Sequence, residues 1–289
     1  MKKTDAVKRV ALIGRPLRRR HSEIMHNAAF EHFGIDARYE LLPLEPEDLD
    51  GFFAEARGED WLGFQVTSPY KTEALRRCDR VDPDAARIGA VNSAVSVGGS
   101  IEGFNTDLDG FVGSATGDLG ANLDGAMVIV AGAGGAARAV VAGCLNAGAR
   151  RVVVANRTAA RARELVASFD TPAVIAVEST SNDMEVELSA ADLAVNATTV
   201  GMTIPGLAFD VNLLPRGALV FDLVYIPMDT ELVRAARARG LDAIGGAGML
   251  VRQAEAAFRR WTGHTGAEVI MRDAVADLLA SPDRAELAT

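Results

Sequence analysis

Short apolar runs alternate along the chain with longer stretches whose apolar residues recur at helical spacing, and that alternation predicts an α/β protein. Residues 7–13 read as a buried strand and 22–33 as an amphipathic helix stopped by Gly34. Residues 37–42 are the next strand, and Pro46 stands in the first turn of a helix that ends near Gly58. A strand at 61–67 leads through Pro69 into a helix containing Lys71. Residues 91–97 and 101–104, joined across Gly98-Gly99-Ser100, form a hairpin. A helix follows Asn105-Thr106-Asp107 and runs to about Ser114, after which the polar, glycine-containing stretch 116–124 marks a domain boundary.

From residue 126 the apolar runs lose their alternation: 126–131, 151–155, 192–196 and 218–222 read as strands of a parallel sheet covered on both faces. After Gly245-Gly246-Ala247-Gly248 come two amphipathic helices, 249–261 and 267–279. The expected architecture is therefore two α/β domains. Residues 1–114 and 249–289 make a mixed α/β substrate domain, with the last helices packing back on it. Residues 115–248 make a Rossmann-type doubly wound parallel sheet. Residues 281–289 are expected to fray.

Composition narrows the class. With 289 residues, 49% hydrophobic and 24% charged, the chain has ample material for two cores. A net charge of −9 argues against a nucleic-acid partner, although a local site can still be basic. Cys78 and Cys144, each placed in a helix, form no motif and fit a reducing cytoplasm. The first residues lack a signal-peptide core, and the longest apolar stretch, 126–145, is broken by glycines and Arg138, so no membrane span is expected.

That stretch carries the first chemistry. Gly132-Ala133-Gly134-Gly135-Ala136-Ala137 joins a strand to an alanine-rich helix, where free backbone N–H groups and the helix dipole favour a pyrophosphate. Nineteen positions after Ala137, where an acidic residue would bond a ribose 2′-OH, stands Asn156, followed by Arg157. The exchange removes a repulsion and supplies a cation, which suits a 2′-phosphate, and the expected cofactor is NADP(H). Thr158 is placed to cap the next helix, and Arg161 then occupies a first-turn position where a cation opposes the macrodipole unless an anion sits beside it.

Further blocks follow in order: Gly14-x-Pro16 then Met25-His26-Asn27-Ala28-Ala29-Phe30; Val66-Thr67-x-Pro69-Tyr70-Lys71; Ile88-Gly89-Ala90-Val91-Asn92; Asn105-Thr106-Asp107-x-x-Gly110; Asn156-Arg157-Thr158; Asn196-Ala197-Thr198-Thr199-Val200-Gly201-Met202; and Gly248-Met249-Leu250-Val251-x-Gln253. In this combination the chain resembles the shikimate and quinate dehydrogenase family over nearly its whole length. The resemblance implies an NADP-dependent dehydrogenase interconverting a ring alcohol and ketone, by default shikimate and 3-dehydroshikimate. It implies that Lys71 is the acid/base and that Asp107 shares the same hydroxyl. Ser22, Thr67, Asn92, Thr106, Tyr225 and Gln253 are the implied substrate contacts. Thr198, Leu223 and Gly246 join the glycine turn on the cofactor side. His26 reads as a structural helix residue. The implied setting is the cytoplasmic chorismate route to aromatic amino acids, with a small carboxylated substrate and a monomer or homodimer.

Two segments depart from the family. Where it usually reads Ser-x-Ser-Pro, this chain has Arg20-His21-Ser22-Glu23 after Arg18 and Arg19, and where it usually has Asn, this chain has Gln65. Arg20 can grip a carboxylate bidentately. Alternatively the arginines form a solvated loop, Ser22 is an N-cap, and the substrate differs in shape. Quinate, aminoshikimate and other cyclitol acids stay open within the class. A non-catalytic nucleotide-binding homologue stays open outside it.

Overall fold

The computed structural model describes residues 7–17 and 19–280, so the expectations for Arg18 and for 281–289 lie outside the described residues. The chain divides into two compact units, Met1–Thr106 with Gln253–Thr289, and Asp107–Arg252.

The first unit holds β1 (Lys8–Gly14), α1 (His21–His32), β2 (Ala37–Pro43), a 3-10 turn at Pro46–Asp48, α2 (Leu49–Glu55), β3 (Trp61–Val66), α3 (Lys71–Arg77), β4 (Arg80–Val81), α4 (Pro83–Ile88), β5 (Ser93–Val97) and β6 (Ser100–Phe104). Its sheet runs β2-β1-β3-β5-β6-β4. β1 pairs in parallel with β2 and β3, whereas β5 is antiparallel to both β3 and β6. The hairpin turns at Gly98 and Gly99, both at positive φ, a conformation that glycine adopts without steric cost. Phe52, Phe53, Trp61 and Phe64 meet edge to face at 5.0–5.9 Å in one core layer. On the other side Trp261 lies flush on β3 and donates to Ala94 O at 2.8 Å. Only glycine at position 63 permits this, since a Cβ there would stand 2.4 Å from Trp261 Nε1.

The second unit holds α5 (Asp107–Gly117), β7 (Met127–Ala131), α6 (Gly135–Asn146), β8 (Arg151–Asn156), α7 (Ala159–Ala167), β9 (Val174–Glu178), α8 (Asn182–Leu188), β10 (Leu193–Asn196), β11 (Leu219–Asp222), α9 (Glu231–Ala238) and β12 (Ala243–Ile244). Its strands are parallel in the order β12-β11-β10-β7-β8-β9, the doubly wound arrangement with the switch point between β7 and β10. α10 (Ala247–Thr262) begins in this unit and ends in the first, where α11 (Ala267–Ala280) packs on α1.

Several details differ from expectation. The units divide after residues 106 and 252 rather than 114 and 248. α5 belongs with the second unit because Phe111 stacks on Phe221 at 5.7 Å and Gly143 of α6 lets Val112 close in. Arg252 is tied there by Asp118 at 2.8 Å. α1 starts at His21, so Arg20 and not Ser22 occupies the N-cap, and no side chain caps it. Thr158 is the N-cap of α7, yet its hydroxyl makes no capping bond. Cys78 falls one residue beyond α3, in extended conformation. Pro46 opens a 3-10 turn that α2 follows, and β4, α4, β9 and β12 are additions to the sequence reading. Among the described residues no helix is long and apolar enough to cross a membrane.

Candidate active site

In the first unit the polar residues singled out from the sequence gather at the carboxyl ends of β1 and β3 and beside β6. Gly14 ends β1 against Thr67, and a Cβ there would sit 2.3 Å from Thr67 Cγ2. Thr67 N donates to Ile13 O at 2.9 Å, and Tyr70 N closes the following turn onto Thr67 O at 3.0 Å. Tyr70 is anchored by its hydroxyl to Leu44 O at 2.8 Å, which places Lys71 as the first residue of α3. The Lys71 carbonyl accepts from Val91 N at 3.0 Å, bringing the Asn92 segment alongside.

Asn92 is buried and locked to Thr106: its Oδ1 accepts from Thr106 N at 2.8 Å, and its Nδ2 donates to Thr106 Oγ1 at 3.1 Å. Asn105 holds the same loop by donating to Ala90 O at 2.9 Å. Gln253 Oε1 lies 3.4 Å from Thr106 Oγ1 and accepts from Gln65 Nε2 at 3.0 Å. Gln65 Oε1 in turn accepts from the Tyr39 hydroxyl at 2.7 Å and from His26 Nε2 at 3.2 Å. His26 stacks on Tyr39 at 4.6 Å, and burial drives its pKa down to about 3, so the ring is neutral. His26 is thus structural, as expected. Burial raises the Tyr39 phenol well above its usual range.

Arg20 is exposed and turned onto Glu23, which takes its Nε and Nη2 edge at 2.7 and 3.2 Å. Glu23 therefore raises the guanidinium pKa further. The edge best shaped for a bidentate grip already has a carboxylate on it.

In the second unit Asp107 is the half-buried first residue of α5. The glycine turn fits a dinucleotide on two observations. Gly132, at φ +116°, approaches the β10 end so closely that a Cβ would stand 2.7 Å from Ala197 O. Gly134 and Gly135 face open space, with nothing within 4 Å of where a Cβ would be, at the uncapped start of α6. Ala133 and Ala136 flank them, also without bulk. Asn156 ends β8 and bonds Thr158 O at 2.9 Å, while Arg157 and Arg161 are exposed and among the described residues have no carboxylate within ion-pair distance. Basic side chains with no carboxylate of their own, next to a neutral Asn, suit a 2′-phosphate.

A buried array shapes the strand ends around the switch point. Asn196 Oδ1 accepts from Thr198 N and Oγ1 at 3.0 and 2.6 Å, and its carbonyl accepts from Leu223 N at 2.9 Å. Gly246 presses on Leu223, where a Cβ would meet the carbonyl oxygen at 2.1 Å. Tyr225 is half-buried just beyond. Asn196 was visible only as part of a motif, and Asp222 and Tyr39 were missed as site-shaping residues. For Asn196 and Asp222 the one sequence signal is a polar side chain ending an otherwise apolar strand, and Tyr39, between Arg38 and Glu40, carries none.

Known proteins resemble this chain over almost its whole length. Three family models match in order: the shikimate dehydrogenase substrate-binding domain over residues 12–94, shikimate / quinate 5-dehydrogenase over 115–207, and the shikimate 5′-dehydrogenase C-terminal domain over 246–276. Shikimate dehydrogenase (NADP(+)) of Geobacter sp. strain M21 is 40% identical over 284 residues, covering 96% of this chain and 98% of its own. The shikimate 5-dehydrogenase of Thermus thermophilus, solved with NADP(H) and shikimate, is 37% identical with a TM-score of 0.83, covering 93% of this chain and 99% of its own. Quinate dehydrogenase of Corynebacterium glutamicum, solved with NAD, is 34% identical with a TM-score of 0.86, covering 94% and 99%. With fold, motif order and near full-length identity all coinciding, this chain belongs to the shikimate dehydrogenase family.

Proposed function

We propose that the protein is an NADP-dependent oxidoreductase that interconverts shikimate and 3-dehydroshikimate, on the chorismate route to aromatic amino acids. The observation that carries this reading is the 40% identity, over almost the entire chain, to an NADP-dependent shikimate dehydrogenase. When bound, NADP(H) supplies the two-electron redox chemistry. The Gly132–Ala136 turn would hold its pyrophosphate, Asn156, Arg157, Thr158 and Arg161 its 2′-phosphate, and Thr198, Leu223 and Gly246 its nicotinamide end.

Lys71 is the acid/base. In the oxidation direction it takes the hydroxyl proton as the carbonyl forms and passes it to solvent; in reduction it returns a proton to the same oxygen. Asp107 bonds that hydroxyl before the proton moves to Lys71 and so orients it. Asn92, Thr106 and Gln253 are prearranged by mutual hydrogen bonds to meet ring hydroxyls, so little ordering remains on binding. Ser22, Thr67, Tyr225 and the remaining Nη1 edge of Arg20 complete the grip on the carboxylated ring. The enzyme works in the cytoplasm as a monomer or homodimer.

The test crosses NADP and NAD with shikimate, quinate and aminoshikimate in a spectrophotometric oxidation assay, with Lys71→Ala alongside. NADP-linked turnover of shikimate that falls about 10²–10⁴-fold in Lys71→Ala, with NADP affinity unchanged, supports the reading. Turnover confined to quinate with NAD would move the protein to the quinate branch. No turnover of any pair would leave a nucleotide-binding homologue.

A further inference from the structure

The Asn-to-Gln departure at position 65 has a structural counterpart: the longer side chain bonds other protein groups at both ends of its amide. Gln65 is 4% exposed. Its Oε1 receives the Tyr39 hydroxyl at 2.7 Å and His26 Nε2 at 3.2 Å, and its Nε2 reaches Gln253 Oε1 at 3.0 Å. A carbonyl oxygen can only accept, so His26 carries its hydrogen on Nε2. The Tyr39 hydroxyl points its hydrogen at Gln65. Donors therefore run one way through the buried interior, from Tyr39 to Gln65 and from Gln65 to Gln253.

An amide is a two-sided group whose ends differ in sign. With its oxygen committed inward to Gln65 and turned toward Thr106, Gln253 presents its NH2 on the opposite side. Donors on that side suit the hydroxyl or carboxylate oxygens of a polyhydroxylated acid, whereas a flipped amide would present a carbonyl that repels a carboxylate. We propose that Gln65 and Tyr39 are positioning residues that set the orientation of the Gln253 amide, and so determine substrate specificity without touching the substrate. His26 supports them by holding Gln65 Oε1 and by stacking under the Tyr39 ring. The proposal rests on Gln253 being a substrate contact.

Gln65→Glu keeps the shape and the two inward acceptances but removes the donor to Gln253, whose amide must then turn round. The experiment is a double-mutant cycle of Gln65→Glu and Gln253→Ala in the full-length enzyme, read as separate KM and kcat values for shikimate and KM for NADP. Expected for Gln65→Glu alone is a shikimate KM about tenfold or more higher, with kcat and the NADP KM within about threefold. In the Gln253→Ala background the same change should add less than about twofold, because its effect passes through the missing amide. Equal effects in both backgrounds, or a parallel fall of kcat, NADP affinity and Tm, would overturn the proposal. A Gln253→Ala enzyme with unchanged shikimate KM would instead overturn the substrate-contact reading beneath it. Should the buried carboxylate prevent folding, Tyr39→Phe, which keeps the ring stack, runs the same cycle against Gln253→Ala with the same two outcomes.

Discussion

The side-chain nitrogen of Asn196 donates to the carboxylate of Asp222 at 2.8 Å, where neither residue meets solvent. Asp222 also accepts from Val224 N at 3.0 Å and from the Thr230 hydroxyl at 2.6 Å. Burial raises its pKa, and these donors resist that by favouring the ionised form. The pair clamps the ends of β10 and β11, just before Thr198 and Leu223, the residues proposed to meet the cofactor. Asp222→Asn keeps the size but turns an amide nitrogen toward one of the donors. Unfolding free energy should fall by about 1–3 kcal/mol. NADP should bind about tenfold more weakly by fluorescence titration. Destabilisation with NADP affinity intact would make the pair a matter of stability alone.

Two glycines separate a ligand cradle from a packing constraint. A Cβ at Gly134 meets nothing within 4 Å, whereas one at Gly246 would stand 2.1 Å from the Leu223 carbonyl oxygen. Gly134→Ala should leave stability within about 0.5 kcal/mol and still weaken NADP about tenfold or more, since the methyl group enters the space of the pyrophosphate. Gly246→Ala should lower Tm visibly even without cofactor, because backbone must shift. Thermal melts with and without NADP distinguish the two, and a Gly134→Ala enzyme of normal NADP affinity would remove the cradle assignment.

Legibility in the sequence followed burial and separation. β7, β8, β10 and β11 are covered on both faces, so each leaves an unbroken apolar run that can be read directly. β9 was missed: Val174–Glu178 is just as apolar at its start, but it is half-exposed and follows Pro172 in a polar stretch. β4 has two residues and α4 six, too short for any period. Within the site, Lys71 and the glycine turn were legible because local motifs carry them. The Gln65–Gln253 contact spans 188 positions, and its partners Tyr39 and His26 come from two other elements. Only the fold brings those four side chains together, and the unusual Gln65 alone hinted that something there had changed.

Arg20 poses a sharper question now that Glu23 holds it. If the guanidinium touches the substrate, Glu23 competes with the substrate carboxylate for the same charge. Glu23→Gln should then lower the shikimate KM by about threefold to tenfold, and more at low ionic strength, where exposed charges are least screened. kcat should hold. A Glu23→Gln enzyme whose shikimate KM equals or exceeds that of the parent at every salt concentration would assign Arg20 to an exposed helix-end ion pair and leave the carboxylate to Ser22 and its neighbours.

Acid sensitivity should come from two buried histidines in α1. Burial lowers His26 to about 3, and burial together with the Arg19 charge lowers His21 to about 4. In the unfolded chain both titrate near ~6.5. Their contribution to stability is therefore complete above that value and is lost as pH falls toward the folded values, because the unfolded chain gains protons the native state refuses. Around pH 5 two such groups give a slope of roughly 2.7 kcal/mol per pH unit. Asp222, with its pKa raised, works in the opposite direction: its contribution is largest at low pH and is lost as pH rises. Urea unfolding between about pH 7 and pH 5 reads the net slope. His26→Phe, which keeps the aromatic stack on Tyr39, should reduce the slope by about half. A slope unchanged by that substitution would mean His26 accepts a proton in the native state, contrary to its burial and to the hydrogen bond it donates to Gln65.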